Sequence, residues 1–384
     1  MARKPAGPLR RGWTTGACAT AATHAAYHAL VTGEFPDPVS IVLPKGDQPA
    51  FALAYQGKSR GNPATWAQAG IIKDAGDDPD VTHGALVIAK VTARAAGAGL
   101  SFVAGEGVGT VTLPGLPIEP GQAAINPVPR RLMTEQIDSL AAALGGPRDV
   151  KITISIPGGE KLAQRTWNPR LGIVGGLSIL GTTGVVHPFS CAAWIHSIHR
   201  GIDVARAIGL THVGGATGST SEAVMLARHA LPEVAVLDMG DFAGGLLKYL
   251  RAHPIARLTL AGGFAKMTKL AQGFMDLHSG RSQVDFDWLA ARLAALGASP
   301  DQQDLARRAN TANQVLGQSR ELGLPLGQLV ADQARAFALE LLRGAAVEVE
   351  TLVIDRKGQQ VGLAGALPPY RAVKSTAENE RRAR

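Results

Sequence analysis

Two glycine-rich segments in the C-terminal half of the chain could hold a small ligand. Gly214-Gly-Ala-Thr-Gly218 follows a predicted strand and precedes a predicted helix, and Gly262-Gly263 repeats this arrangement. Glycine lets the main chain approach a ligand closely, and the N-terminus of the following helix offers free N–H groups and partial positive charge. Asp238 lies at the end of the next predicted strand, where nucleoside-binding folds place an acid on ribose hydroxyls.

This pattern predicts a nucleoside site without naming the ligand, because dinucleotides and S-adenosylmethionine are both bound in this way. The alternative is that the glycines only form tight turns. The predicted cofactor-binding residues are Gly214, Gly215, Thr217, Gly218, Asp238, Gly262 and Gly263.

An acidic loop in the N-terminal half reads Asp74-Ala-Gly-Asp-Asp-Pro-Asp-Val-Thr-His-Gly84. Grouped carboxylates can bind a divalent cation or place a general base, and aspartate also favours turns around proline. The spacing does not match an EF-hand loop. We expect Asp78 or His83 to act as the base and no metal to be bound by the protein.

The other histidines and the two cysteines give weaker signals. His24 and His28 lie four residues apart on a predicted helix, but the glutamate of the zinc-protease motif is missing. Cys18 and Cys191 lack a Cys-x-x-Cys partner, which favours buried thiols in a reducing compartment.

The predicted secondary structure that must position these residues differs between the two halves of the chain. The N-terminal half predicts a threonine-capped helix over 17–30, a helix ending at Leu144 and several strands. Strand-loop-helix units beginning near Thr211, Val234 and Arg257 predict a parallel sheet. Helices over 286–296, 300–316 and 325–342 follow, and then a closing hairpin around Lys357-Gly358.

The predicted fold class is therefore α/β and α+β, in two domains. An N-terminal α+β domain covers residues 1–170, and a Rossmann-like parallel-sheet domain covers residues 171–366. Residues 367–384 are predicted to form a flexible tail.

The composition narrows the classes of function. The 384 residues carry 39 Lys and Arg against 31 Asp and Glu, so the net charge is +8. Positive charge attracts polyanions, but here it is spread along the chain and aromatic residues make up only 5%. This favours a small polycarboxylate over nucleic acid.

An uncharged stretch from Leu171 to His199 is long enough to cross a bilayer. Glycines, a proline and three histidines interrupt it, so we expect a buried strand, a loop and a helix start rather than a membrane span. The start of the chain lacks the apolar region of a secretory signal, and we expect a cytoplasmic protein. The sequence leaves a homo-oligomer open.

Five segments, read together, resemble one enzyme family. They are Arg11-Gly-Trp-Thr-Thr-Gly-Ala-Cys-Ala-Thr20, Asp74-Ala-Gly-Asp-Asp-Pro-Asp-Val-Thr-His-Gly84, Ala124-Ile-Asn-Pro-Val-Pro-Arg130, Gly176-Leu-Ser-Ile-Leu-Gly-Thr-Thr-Gly-Val-Val186 and Gly273-Phe-Met-Asp-Leu-His-Ser279. In order and content the chain resembles the cobalt-precorrin-5B C(1)-methyltransferases of cobalamin biosynthesis over roughly residues 9–365. His187-Pro-Phe-Ser190 departs from the family, in which an acidic residue often precedes this proline.

The resemblance implies transfer of a methyl group from S-adenosylmethionine to ring carbon 1 of a cobalt-containing tetrapyrrole. The implied products are cobalt-precorrin-6A and S-adenosylhomocysteine, and the cobalt belongs to the substrate. We expect the substrate to contact Thr14, Thr15, Asp77, Asn126, Arg130, Thr182 and Thr183. Basic side chains that could pair with its carboxylates are Arg130, Arg131, Lys161, Arg165 and Arg170.

Two other functions fit parts of the sequence. A nicotinamide-dependent oxidoreductase would use the same strand, loop and acid pattern. A basic nucleic-acid-binding protein would agree with the sequence pI of 9.7.

Overall fold

The computed structural model describes residues 7–61 and 64–370, which form a mixed α/β protein. The chain divides into two compact units, Met1–Ala193 and Trp194–Arg384. The elements of the first unit are β1 (Gly12–Trp13), α1 (Thr15–Thr32), β2 (Val39–Ser40), β3 (Ala50–Phe51), β4 (Tyr55–Lys58), β5 (Trp66–Ile72), β6 (Leu86–Ala93), β7 (Ser101–Ala104), β8 (Thr110–Val111), α2 (Pro127–Leu144), β9 (Val150–Ser155), α3 (Gly159–Ala163), β10 (Ile173–Val174) and β11 (Val185–Val186). Helix α4 (Cys191–Ala207) spans the division.

The first unit is built on a five-stranded sheet in the order β4-β5-β6-β9-β7. Its neighbours are antiparallel except β7 and β9, which are parallel. Helix α1 packs against β5, β6 and α2. Most of its residues are alanine or other small residues that are fully buried, which allows the helix to approach the sheet closely. The predicted threonine-capped helix is confirmed; it begins at Thr15, and Thr14 is the residue that caps it.

Two short strand pairs place the boundary between the units later than residue 170. Ile173 pairs with Val111 in β10 and β8, and Val186 pairs with Gly12 in β11 and β1. Hydrogen bonding therefore ties residues 173–186 to the first unit, whereas the sequence assigned them to the second. Their glycine-rich, uncharged character resembled the start of a new domain, and the pairing partners lie far away in the sequence.

The second unit contains β12 (His212–Ala216), α5 (Ser219–His229), β13 (Val236–Leu237), α6 (Ala243–Ala252), β14 (Arg257–Gly263), α7 (Phe264–Ala271), α8 (Phe286–Ala295), α9 (Pro300–Arg307), α10 (Ala312–Glu321), α11 (Leu326–Leu342), β15 (Glu348–Ile354) and β16 (Gln360–Ala364). Its sheet has the order β13-β12-β14-β15-β16. The first four strands are parallel, and β16 returns antiparallel to β15. The predicted parallel pairing and closing hairpin are confirmed.

The predicted helix over 300–316 is wrong, because it is two helices. Ser299 caps α9 in a capping box with Gln302, and α9 ends at Arg307. Thr311 then caps α10 by accepting a hydrogen bond from the N–H of Gln314. Thr311, a second capping residue inside an otherwise helical sequence, was the signal for this break.

A buried polar network lies where β15 meets α5. Glu350 is fully buried and accepts hydrogen bonds from the ring of His229 and, at 2.8 Å, from the N–H of Leu367. The N–H of Tyr370 donates to the carbonyl of His229 at 3.0 Å. Residues 367–370 are thus tied to the second unit, although the predicted flexible tail began at 367. Residues 371–384 of that tail lie outside the described residues.

Within the described part of the chain, no helix combines the length and the apolar character that crossing a membrane requires.

Candidate functional site

A cleft of about 380 Å³ lies at the C-terminal edge of the parallel strands of the second unit. Its walls come from the ends of β12, β14 and β15 and from the first turns of α5 and α7. The lining residues are Thr217, Gly218, Ser219, Thr220, Ser221, Gly263, Phe264, Ala265, Lys266, Asn313, Ile354, Asp355 and Arg356. After β12 the chain first forms β13 on one side and then β14 on the other. The cleft is therefore at the switch point of the sheet, where open α/β folds bind ligands.

Three predicted cofactor-binding glycines do not line this cleft. Gly214 and Gly215 lie inside β12, whereas the sequence placed them in the loop after it. A methyl group on Gly214 would come within 2.4 Å of Met225 Sδ, and one on Gly215 within 2.9 Å of Leu246. Gly262 likewise lies within β14, with Met267 against it. These glycines are small because helices pack onto the sheet there.

Thr217, Gly218 and Gly263 are the predicted residues that the structure brings together. Gly218 and Gly263 are the N-caps of α5 and α7, and neither helix has a side-chain cap. Asp238 follows β13 and is absent from the lining of the cleft. Its main-chain carbonyl accepts a hydrogen bond from the indole of Trp194 at 2.7 Å.

Sequence reasoning missed an ion pair beside the cleft, between a half-buried lysine and a buried aspartate. Lys266 Nζ lies 2.7 Å from Asp241 Oδ1 and donates to the carbonyl of Thr217 at 3.0 Å. Asp241 is buried. The sequence did contain a signal for this pair. Asp241 lies shortly after the end of β13, and Lys266 lies in the first turn of α7, which follows β14.

The acidic loop of the first unit is interlocked with the start of the chain. The guanidinium of Arg10 pairs with Asp74, which lowers the pKa of Asp74 to about 2. Asp77 accepts a hydrogen bond from the N–H of Arg10 at 2.6 Å, and its own N–H donates to the Arg10 carbonyl. Gly76 is in close contact with Arg10, so any side chain there would collide with the main chain. Asp77 therefore has a structural role here.

A buried lysine neutralises the far end of the loop. Lys73 is 3% exposed, and its ammonium group contacts both Asp80 and Thr82. Burial alone would raise the pKa of Asp80, but the charge and hydrogen bond of Lys73 and the bonds from Thr82 lower it overall. This pair accounts for one of the four carboxylates without any metal ion.

Asp78 and His83 occupy different environments. Asp78 Oδ1 accepts a hydrogen bond from the N–H of Phe189 at 2.8 Å, and burial raises the pKa of Asp78, with further repulsion from Asp80. Phe189 has a φ of 57°, which is rare for a residue other than glycine. His83 Nδ1 accepts a hydrogen bond from the N–H of Ala75 at 3.1 Å, so the neutral ring carries its proton on Nε2.

The predicted threonines cluster at the N-terminus of α1. Thr14 and Thr15 are buried there, and the N–H of Gly16 donates to the carbonyl of Leu180 at 3.0 Å. A methyl group on Gly181 would come within 2.3 Å of Thr14 Oγ1. The loop that carries Thr182 and Thr183 therefore covers the helix N-terminus, and Thr182 itself is exposed.

Arg130 lies on a second cleft, of about 500 Å³, in the first unit. Its guanidinium donates to the carbonyls of Ile125 and Ala123 and to the side chain of Gln122, and it stacks over Phe102 at 5.5 Å. Asn126 is the N-cap of α2 but makes no side-chain capping bond. Among the other basic candidates, Arg131 pairs with Glu135 on the surface.

No group of three or more His, Cys, Asp or Glu side chains suited to a metal ion occurs among residues 7–61 and 64–370. His24 Nδ1 instead pairs with the side chain of Gln136 at 2.8 Å. Cys18 is fully buried, and burial raises the pKa of its thiol to about 12.

The architecture is that of a two-unit α/β protein with a ligand-sized cleft at the switch point of a parallel sheet. Residues 2–188 match the CbiD family, and residues 276–365 match the family described as CbiD, C-terminal domain. The chain belongs to the CbiD family.

Curated relatives in this family carry an enzyme name. The chain is 64% identical over 352 residues to the cobalt-precorrin-5B C(1)-methyltransferase of Brucella canis, covering 91% of this chain and 94% of that one. The same name, identity and coverage hold for the relative from Brucella anthropi over 350 residues. A crystal structure of the cobalamin biosynthesis protein cbiD from Archaeoglobus fulgidus is 27% identical, covers 67% of this chain and 78% of that one, and has a TM-score of 0.38.

Proposed function

We propose that this protein is a methyltransferase that methylates carbon 1 of cobalt-precorrin-5B in cobalamin biosynthesis. The observation that carries the proposal is the 64% identity to curated enzymes of that name over nearly their whole length. The five segments that resemble this enzyme family are an independent support for the same reaction.

We further propose that the second unit is a Rossmann-like domain that binds S-adenosylmethionine in the switch-point cleft. A volume of about 380 Å³ falls within the range of small-molecule sites, about 300–1,000 Å³. The cleft offers the main-chain N–H groups of two helix starts, the hydroxyl of Thr217 and the amide of Asn313. These groups suit a ligand that has both a nucleoside and an amino-acid carboxylate, and Thr217, Gly218 and Gly263 would hold it.

The donor supplies an activated methyl group on a sulfonium. Transfer forms a bond between this carbon and ring carbon 1 and breaks the carbon–sulfur bond, whose electron pair stays on sulfur. The protein's main task is to align the two reactants, and alignment of this kind can supply up to about 7–11 kcal/mol.

Asp78 is our candidate for accepting the proton that the methylated ring releases. One carboxylate oxygen is held by the N–H of Phe189, which leaves the other available. Burial raises the pKa of Asp78, which makes it a stronger base than an exposed aspartate. His83 Nδ1 is occupied by a main-chain donor, so we assign His83 as a hydrogen-bond donor through Nε2 and not as the base.

The net positive charge of the protein would attract the carboxylate arms of the substrate. Arg130 is our first candidate for binding one of these carboxylates, because it lines the cleft of the first unit. Arginine has five N–H donors, and the described contacts use three of those on Arg130, on the wall of the 500 Å³ cleft. The two remaining donors could pair with a carboxylate. Cytoplasmic location and oligomeric state stay predictions.

The test is incubation of the purified protein with cobalt-precorrin-5B or its metal-free form and donor labelled in the methyl group. We expect one labelled methyl group on carbon 1 of the cobalt substrate, located by mass spectrometry and NMR. Absence of transfer, or label on another carbon, would contradict the proposal. A melting-temperature screen with S-adenosylhomocysteine and NAD would separate it from an oxidoreductase, because a ligand at about 100 times its Kd stabilises by about 2.7 kcal/mol.

A further inference from the structure

We propose that the switch-point cleft binds the α-carboxylate of the donor's methionine group through the hydroxyl of Thr217 and the first-turn N–H groups of α5 and α7. This inference rests on the proposed function and adds the orientation of the donor: its amino-acid end, and not its ribose, lies between the two helix starts.

The first observation is the convergence of two uncapped helices on one cleft. The eleven residues of α5 begin after Gly218, and the eight residues of α7 begin after Gly263. The first N–H groups of a helix have no partner within it, and glycine has no side chain to cap them. Both first turns line the cleft. They present N–H donors and the positive ends of two helix dipoles to the same space, which favours an anion.

The second observation is the side chain of Thr217. This residue is only 8% exposed and lines the cleft. Its main-chain N–H and carbonyl are bonded to Ala261 and Lys266. Among residues 7–61 and 64–370, its hydroxyl has no hydrogen-bond partner. A methyl group built on Gly262 would come within 2.9 Å of the methyl carbon of Thr217, so this carbon faces β14. A hydroxyl on the cleft wall with no acceptor in the protein is free to donate to an acceptor of a bound ligand.

The charges beside the cleft point to a carboxylate. Lys266 holds the Thr217 carbonyl and is neutralised by Asp241, while Arg356 adds a positive charge on the lining. Asp355 is not free to bind ribose hydroxyls, because its carboxylate accepts from two main-chain N–H groups of the β15–β16 turn and from Arg320. The carboxylate of Asp355 is therefore already occupied by donors of the protein, and the positive charge of Arg356 on the lining favours an anionic ligand.

The test compares ligands with and without the carboxylate, by calorimetry on the full-length protein. Wild-type protein should bind S-adenosylhomocysteine roughly 10- to 100-fold more tightly than its carboxyl methyl ester, as expected when a hydrogen bond to a charged group is lost. Thr217→Val keeps the methyl group and should weaken S-adenosylhomocysteine by a similar factor. It should leave 5′-methylthioadenosine, which lacks the amino-acid group, unchanged. Thr217→Ser should restore tight binding, and Thr211→Val, on the exposed start of the β12 region, is the matched control.

Three outcomes would overturn the inference. They are equal affinity of wild-type protein for the acid and its ester, unchanged binding of S-adenosylhomocysteine to Thr217→Val, or an equal loss for both ligands, which would place Thr217 on the nucleoside. If wild-type protein binds neither nucleoside, the donor assignment itself is wrong. The ester comparison needs no variant, so it holds even if Thr217→Val fails to fold.

Discussion

Replacing Asp78 by asparagine separates chemistry from structure more cleanly than other changes in the acidic loop. Asparagine keeps an oxygen that can accept the hydrogen bond now given by the N–H of Phe189 at 2.8 Å. It removes the negative charge that would take up a proton. Loss of a general base costs about 10²- to 10⁴-fold in rate, which corresponds to about 3–5 kcal/mol of activation free energy.

Although its activity should fall, the stability of the Asp78→Asn variant should stay the same or increase. Burial raises the pKa of Asp78, so the folded protein disfavours the charged carboxylate at neutral pH. A neutral amide removes that cost, and we expect the Asp78→Asn protein to melt at the same temperature as wild type or slightly higher. In wild type, kcat/KM should rise with pH through an apparent pKa above about 4, the usual value for aspartate.

The assay is methyl transfer to cobalt-precorrin-5B in a single turnover, with binding of S-adenosylhomocysteine measured in parallel. Asp47→Asn, on an exposed turn of the same unit, is the matched control and should be as active as wild type. A turnover rate of Asp78→Asn within about threefold of wild type would refute the reasoning, since the position would then contribute no base. An unfolded variant would contradict the expected stability of Asp78→Asn.

Three further predictions concern the packing of the protein. Burial lowers the pKa of His212 to about 4. The free energy of unfolding should therefore be full at neutral pH and fall by about 3 kcal/mol as the pH falls from about 6.5 to about 4. Urea unfolding across this range should show a smaller loss for His212→Gln than for wild type, and parallel curves would contradict the prediction. Cys18 is fully buried with a thiol pKa raised to about 12, so a thiol reagent should modify it only after unfolding, and rapid modification in the native protein would disprove this. Gly214→Ala should cost about 1–3 kcal/mol, because the new methyl group meets Met225. Gly218→Ala has open space around it and should cost less, because only the weaker capping of α5 by alanine is involved. Equal losses in urea unfolding would refute the difference.

The sequence allowed the elements of the second unit to be predicted better than the positions of their ends. Alternation of strand, glycine and helix indicated parallel pairing, which local patterns can reveal because each unit repeats the same signals. The same glycines misled the assignment of the strand ends. Gly214 and Gly215 read as a loop, but they extend β12 because Met225 and Leu246 occupy the space where side chains would be. That requirement comes from helices packed across the sheet and leaves no local trace.

The candidate site in the first unit shows a similar limit. The density of acids in the loop from Asp74 to Asp80 correctly marked an unusual segment, but not the role of each acid. Asp74 pairs with Arg10, 64 residues away in sequence, and Asp80 pairs with the buried Lys73. The N–H that holds Asp78 comes from Phe189, 111 residues away. Partners so distant are set by the fold of the whole unit, so only the structure could divide four similar carboxylates between scaffold and candidate base.

The hydrogen bond from Leu367 to Glu350 bears on how the protein can be shortened or tagged. The matched C-terminal domain ends at residue 365, two residues before this bond. A stop codon placed at that border would delete one of the donors to the buried Glu350 carboxylate and leave it to the side chains of His229 and Arg228. Protein engineers should therefore retain the chain through Tyr370, whose N–H anchors the segment a second time, and fuse purification handles beyond it.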